Sequence, residues 1–286
     1  MKQLFTILLL ALVIASCSST SEKTSKKHGL KVMIQVDFEG VAGVVNFDET
    51  YPGHVHFLRN CELLTNEVNA AVEGALAAGA TEIIVRDGHS ANISVDPIRL
   101  NPKAKLIRGR KPNTPETMVI GIDSTYDALL FIGAHARAGI SEGVLSHTMS
   151  LKVVDLTING TPISEVAFNS LYAGQFGVPV VFVAGDSETS REAKETLGEN
   201  IVTTITKEPI GRTCAINYSP QLVCKQIKRD VEKALRNIDK GTIFKMDKPY
   251  RMDLKVMKGS TPDTLLLINY QSDTLMSVMK RFWQTL

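Results

Sequence analysis

Lys31-Val32-Met33-Ile34-Gln35-Val36-Asp37-Phe38-Glu39-Gly40 decides the fold. An apolar, largely unalternating run breaks at once into two carboxylates and a glycine. Strands that are apolar on successive positions are buried on both faces, which is the habit of parallel sheets covered by helices. The pattern returns three times. Glu82-Ile83-Ile84-Val85-Arg86 runs into Asp87-Gly88-His89-Ser90, and Ala128-Leu129-Leu130-Phe131-Ile132 runs into Gly133-Ala134-His135-Ala136-Arg137. Residues 178–184 run into Gly185-Asp186-Ser187-Glu188, and residues 104–107 suggest one more short strand.

Helical patterns fill the intervals. Over residues 60–78, Leu64, Val68, Ala71, Val72 and Ala75 recur at helical spacing, and Gly79 follows as a stop. Ser164 is placed to cap a helix over residues 164–175, and residues 190–197 read as another. Residues 152–158 alternate and end in Asn159-Gly160, a tight-turn pair. The pattern predicts an α/β fold, with a three-layer core over residues 30–207 and a largely parallel or mixed sheet. From residue 208 the signal changes: a helix over 221–237, two short strands within 250–267 and a final helix over 272–283. This smaller C-terminal α+β region, 208–286, reads either as a subdomain or as an extension of the core. No internal repeat is evident.

The N-terminus points to export. Residues 4–14 form an eleven-residue apolar run, broken only by Thr6, behind Met1 and Lys2. Spanning a bilayer takes about 20 apolar residues, so the run reads as the core of a secretory signal. Ala15-Ser16-Cys17 then resembles a bacterial lipoprotein processing site. We therefore expect a signal peptide over 1–16, lipidation at Cys17 and a flexible polar tether over 17–29. That places the chain in the bacterial cell envelope, lipid-anchored and facing the periplasm. Removing Lys2, Lys23, Lys26 and Lys27 from 32 basic residues, and Glu22 from 30 acidic ones, leaves 28 and 29. A near-neutral body argues against nucleic acid as a partner. Beyond Cys17 three cysteines remain, an odd number, of which Cys214 and Cys224 are the candidates for pairing in an oxidising compartment.

Sites in open α/β sheets form outside the carboxyl ends of the strands. Asp37, Glu39, His89 and His135 would then converge in one crevice. Imidazole nitrogen and carboxylate oxygen are donors that zinc accepts. An Asp after a strand is also an ordinary turn or cap residue, and a single His is often a satisfied polar residue. From spacing alone, a metal site and a set of such residues both remain open.

Further segments sharpen the reading. Gly143-Val144-Leu145-Ser146-His147-Thr148-Met149 follows the His135 loop, and Glu165 lies just beyond Asn159-Gly160. Together with Asp37-Phe38-Glu39-Gly40, Asp87-Gly88-His89-Ser90 and Gly133-Ala134-His135-Ala136-Arg137-Ala138, these blocks resemble the D-aminopeptidase family, in the family's order. Asn169, Tyr172, Ala173 and Gly174 and the 178–186 segment fit the same resemblance, which runs from about residue 31 to 188. The sequence departs from it at Gln35 and at Gly88, each where the family pattern has serine.

The resemblance implies a two-zinc site with Asp37 bridging and Glu39, His89, His135 and Glu165 completing the ligands. It implies His147 as the catalytic residue, described in the family as a nucleophile; on physical grounds a water activated between two metals is the more defensible attacking group, with His147 as base or oxyanion partner. It also implies a short peptide substrate with an N-terminal D-residue such as D-Ala, and a homo-oligomeric ring. Asp186 and Glu188 are candidates to support metal-bound histidines. Arg137 has two readings, a substrate carboxylate partner or an ion pair. Two other functions stand beside the leading one: a metal amidohydrolase with an L-peptide or non-peptide substrate, and a lipoprotein that binds envelope peptides without cleaving them.

Overall fold

A computed structural model describes residues 29–110, 118–259 and 264–286. The signal segment, Cys17 and the tether as far as His28 lie outside the described residues. The elements run β1 (Leu30–Val36), α1 (Phe57–Ala77), β2 (Ala80–Asp87), β3 (Ala104–Ile107), β4 (Ala128–Ala134), β5 (Val153–Ile158), β6 (Thr161–Pro162), α2 (Glu165–Gln175) and β7 (Val180–Gly185). They continue through α3 (Ser187–Leu197), β8 (Val202–Ile205), β9 (Lys207–Gly211), β10 (Cys214–Asn217), α4 (Pro220–Arg236), β11 (Tyr250–Met257), β12 (Leu265–Ser272) and α5 (Leu275–Thr285).

Six strands form one parallel sheet in the order β3-β2-β1-β4-β7-β8. Successive residues of β1 feed two separate cores. Val32, Ile34 and Val36 pack with Leu64, Val68 and Val72 of α1 and with Val223, Ile227 and Val231 of α4. Met33 faces the other way, into a core built from α2, β5, β11 and α5. This is the physical reason the strand shows no alternation: both of its faces are covered. The expected α/β class and the layered, largely parallel architecture are observed.

The sheet order places a topological switch between β1 and β4, since the chain leaves β1 towards β2 and later returns on its other side. Crevices at the carboxyl ends of strands open at such points. Two backbone bonds close the crossing: Asp37 N–H to the Ile132 carbonyl and Gly40 N–H to the Gly133 carbonyl, both 2.8 Å. A β-carbon on Gly40 would lie 2.0 Å from the Ala134 carbonyl oxygen, and one on Gly133 would lie 2.1 Å from that of Asp37. Only glycine permits this approach.

Elements on both sides of residue 208 share layers. β11 pairs with β5 and β12 in the antiparallel sheet β12-β11-β5-β6, and α4 packs along α1. The helix expected over 190–197 begins at Ser187, because Asp186 caps it by accepting from Thr189 N–H at 2.7 Å. The second C-terminal strand extends to Ser272, beyond the expected limit; its exposed, weakly patterned residues hide it in sequence. A Cys214–Cys224 pair does not form. Cys214 stands exposed on β10 while Cys224 turns towards the α1–α4 layer, and all three described cysteines are free.

α1 also carries a buried acid. Glu67 accepts from Ala42 N–H at 2.9 Å, steadying the loop that follows Asp37, and its other oxygen has no hydrogen-bond partner among the described residues. Burial pushes its carboxyl up to about 7. The folded chain therefore holds this proton more tightly than the unfolded one, and the stability it contributes is lost as pH rises from about 4.5 through 7. Glu67→Gln keeps the acceptor and removes the buried charge. It is expected to raise unfolding free energy by about 2–3 kcal/mol at pH 8 and far less at pH 5, measured by urea titration. A gain independent of pH would contradict a titrating acid at this position.

Candidate metal centre

Three strand ends and one helix start deliver the charged side chains. Asp37 and Glu39 follow β1, His89 follows β2, His135 follows β4, and Glu165 opens α2 behind its Ser164 cap. His147 arrives on the loop before β5. All six meet. His89 Nδ1 lies 3.1 Å from Asp37 Oδ1 and 3.2 Å from Glu39 Oε2. His135 Nε2 lies 3.5 Å from Asp37 Oδ2 and 3.3 Å from Glu165 Oε1. His147 Nε2 lies 3.6 Å from Glu165 Oε1 and 3.9 Å from Glu39 Oε1. Two donor groups result, Asp37–Glu39–His89 and His135–His147–Glu165. Asp37 turns one oxygen towards each.

The hydrogen-bond pattern fits a cation. The His135 Nδ1–H is placed to donate to the Ala136 carbonyl at 3.0 Å, and the His147 Nδ1–H to that of Leu145 at 2.9 Å. Both Nε2 atoms then aim lone pairs at carboxylate oxygens, an arrangement that repels unless a proton or a metal ion lies between. His135 Nε2 is fully buried and makes no close hydrogen bond among the described residues. Zinc ligands sit at about 2.0–2.2 Å in tetrahedral geometry, which sets neighbouring donor atoms roughly 3.3 Å apart. The observed separations bracket that value.

Without metal, protons take this place. Burial opposes charge on His89 and His135, but the carboxylates of Glu39 and Asp37 on one, and of Glu165 and Asp37 on the other, hold both imidazoles well above the usual range. Burial would likewise raise Asp37; hydrogen bonds and charge from His135 and His89 outweigh it and hold this carboxyl well below its ordinary value. His147 differs. Burial, joined by the charge of His135 stacked on it at 4.0 Å, depresses its imidazole.

The D-aminopeptidase family pattern matches residues 30–274. The chain belongs to the D-aminopeptidase family. It is 35% identical over 211 residues to a D-aminopeptidase of Bacillus subtilis (strain 168), covering 74% of this chain and 76% of that one. Its fold matches the solved structure described as the Zn-dependent D-aminopeptidase DppA from Bacillus subtilis, a self-compartmentalizing protease. That match has a TM-score of 0.81 and 29% identity, and covers 90% of this chain and 99% of that one.

Within this D-aminopeptidase-family framework the two departures at Gln35 and Gly88 are coupled. A β-carbon on Gly88 would come within 2.6 Å of Gln35 Nε2, which itself donates to the Val36 carbonyl at 2.9 Å. The Gln35 side chain, together with the Val36 carbonyl oxygen 2.9 Å from the same position, closes the space that a serine at 88 would need. Asp186 and Glu188 do not support the histidines, a correction to the sequence reading. Asp186 caps α3 and accepts from Val144 N–H at 2.7 Å, anchoring the His147 loop instead, and Glu188 pairs with Arg191 on the surface. His135 and His147 lean on backbone carbonyls instead. Arg137 takes the ion-pair reading, its Nε 2.9 Å from Glu192 Oε1.

Sequence reasoning missed Lys207. This fully buried ammonium donates to the carbonyls of Glu39 at 2.6 Å and Val41 at 2.9 Å, and also to that of Val44. Thr206 donates to the Gly40 carbonyl. One strand start thus fixes the backbone of the loop that carries Glu39. A lysine just after the Val202–Ile205 strand reads as an ordinary surface residue, and no local signal marks it. Arg212, at the β9–β10 turn, donates to the Ser146 carbonyl at 3.0 Å and supports His147 from the other side. Leu145 and Met149, which bracket His147, both adopt left-handed backbone at φ 52° and 60°. Such strain persists only where surroundings enforce it.

Lys207→Met would leave three carbonyls without their donor. It is expected to cost about 3–5 kcal/mol of stability and to weaken zinc retention, read by urea unfolding and by metal content after dialysis; retention of both would contradict the clamp. The raised histidines also set the pH dependence of metal binding. His89 and His135 hold protons at neutral pH that zinc must displace, so affinity falls as pH falls. Calorimetric titration of zinc into metal-stripped protein should show an enthalpy that varies with the buffer's ionisation heat. An enthalpy independent of buffer would contradict protons on these imidazoles in the metal-free chain.

Proposed function

We propose that this chain is a zinc-dependent aminopeptidase that removes the N-terminal residue, in the D configuration, from short peptides or amides. The observation that carries the reading is the shared carboxylate: Asp37 Oδ1 faces His89 and Oδ2 faces His135, joining two adjacent donor groups. The residues fit two zinc ions, with Glu39 and His89 completing one site and His135 and Glu165 the other. When bound, the ions would supply Lewis acidity and a water acidified from 15.7 towards roughly 7.

The side chains divide the remaining work. The pocket that opens over the ligands, about 410 Å³, is lined by Asp37, Glu39, His89, His147 and Glu165. Its size suits a short peptide rather than a folded chain. His147, depressed by burial and donating from Nδ1, presents an unprotonated Nε2 towards the centre. That atom can take a proton from the attacking water and return it to the leaving amine. The same geometry also makes His147 a candidate ligand, since it belongs to one donor group.

The D specificity is supported by the family and by the relatives' names. An oligomer is supported by the description of DppA as self-compartmentalizing, which favours a homo-oligomeric ring here too. Export and lipidation at Cys17 rest on the sequence of residues 1–17. No helix among the described residues is long and apolar enough to cross a membrane.

Metal analysis of the full chain, followed by a panel of D- and L-aminoacyl amides and peptides, tests the proposal. About two zinc per chain and faster turnover of D-substrates are expected. Absence of zinc, or preference for L-substrates, would sink it. His147→Ala is expected to keep its zinc and lose roughly 10²–10⁴-fold in kcat. Loss of metal with activity would make His147 a ligand instead.

A further inference from the structure

The same pocket has a second end. Outside the ligand cluster its walls are apolar or weakly polar, formed by Tyr51, Met118, Met149, Leu151 and Trp283. Among the described residues that line it, the remaining charged ones are two cations, Arg110 and Lys152, both exposed at the surface. The three carboxylates among its described lining residues belong to the metal cluster, so this lining runs from an acidic, ligand-bearing floor to a basic rim.

Both cations are held at the rim by their backbones or stems. Arg110 donates from Nε to the Ser90 carbonyl at 3.2 Å, which ties it to the His89 loop. Its terminal guanidinium nitrogens have no acceptor among the described residues. Lys152 sits where its own carbonyl accepts from Met257 N–H at 2.9 Å, so β11 fixes its position. Its ammonium also has no carboxylate partner among the described residues.

The geometry points to a subsite at Arg110 and Lys152 for the free α-carboxylate of a short peptide. The inference rests on the aminopeptidase reading, in which the peptide's amino end lies over the ligand cluster. Its carboxyl end must then point outward, and in a pocket of about 410 Å³ it reaches the rim after only a few residues. Unpaired cations there bind a carboxylate by charge-assisted hydrogen bonds. The enzyme would thus select by length: short peptides present the carboxylate to the rim, whereas long chains and amides leave both cations unpaired. Trp283, on the last helix, gives the C-terminal region a part in the same selection.

The test compares D-alanyl-D-alanine with its C-terminal amide on the zinc-loaded full chain. The free acid is expected to be favoured in kcat/KM by roughly 10- to 100-fold, mainly through KM. The double variant Arg110→Ala/Lys152→Ala brings the ratio towards one, and Lys152→Glu inverts it. Calorimetric binding to zinc-loaded His147→Ala should show the same preference without turnover. Equal hydrolysis of acid and amide by the wild type, or a ratio unchanged in the variants, overturns this subsite and leaves the aminopeptidase reading standing. Hydrolysis of neither compound overturns both.

Discussion

Asp37 N–H bonded to the Ile132 carbonyl, and Gly40 N–H to that of Gly133, bring the ends of β1 and β4 closer together than any side chain at residues 40 and 133 would allow. The rest of the site depends on this crossing. It sets the Asp37 carboxylate between His89 and His135, which belong to strands on opposite sides of β1. A bulkier residue at either glycine would spread the strand ends and part the two donor groups. The metal centre is therefore first a consequence of backbone packing at a topological switch, and only then of side-chain chemistry.

Gathering three carboxylates and three imidazoles out of water is costly unless their charges are compensated. Protons serve in the metal-free chain and cations in the loaded one. This is why His89 and His135 hold their protons so tightly while His147, stacked on His135, does not. Opposite the cluster, the buried Lys207 ammonium gathers the carbonyls of the Glu39 loop, and its own charge is satisfied by those oxygens rather than by a carboxylate. Rigid backbone on one side and exchangeable charge on the other describe a site built for metal.

The C-terminal third takes part in this arrangement throughout. α4 covers the face of the sheet that α1 begins to cover, and β11 extends the sheet of β5. Arg212 braces the His147 loop, and Trp283 lines the pocket. These contributions come from segments whose own sequence carries little distinctive chemistry. Their value lies in where the fold puts them.

Local sequence was enough for the parallel α/β layering, because continuous apolar strands such as 31–36 and 128–132 record burial on both faces directly. It was also enough to nominate Asp37, Glu39, His89 and His135, since each follows a buried strand and strand ends converge in this architecture. His147 and Glu165 were legible only through resemblance to a family, because a loop residue and a helix start carry no period that points inward. The expectation of export and of lipidation at Cys17 rests on sequence alone, in residues outside those described. What only the tertiary structure decided were the contacts between segments remote in the chain. They include Lys207 reaching back to residues 39–44, Gln35 and the Val36 carbonyl closing the space above Gly88, Asp186 serving as cap and loop anchor, and Arg110 and Lys152 gathered at one rim. A periodic pattern reports how a residue faces its own sheet or helix. It does not report which distant backbone lies within 3 Å of its polar end, and that distance is where this site acquires its chemistry.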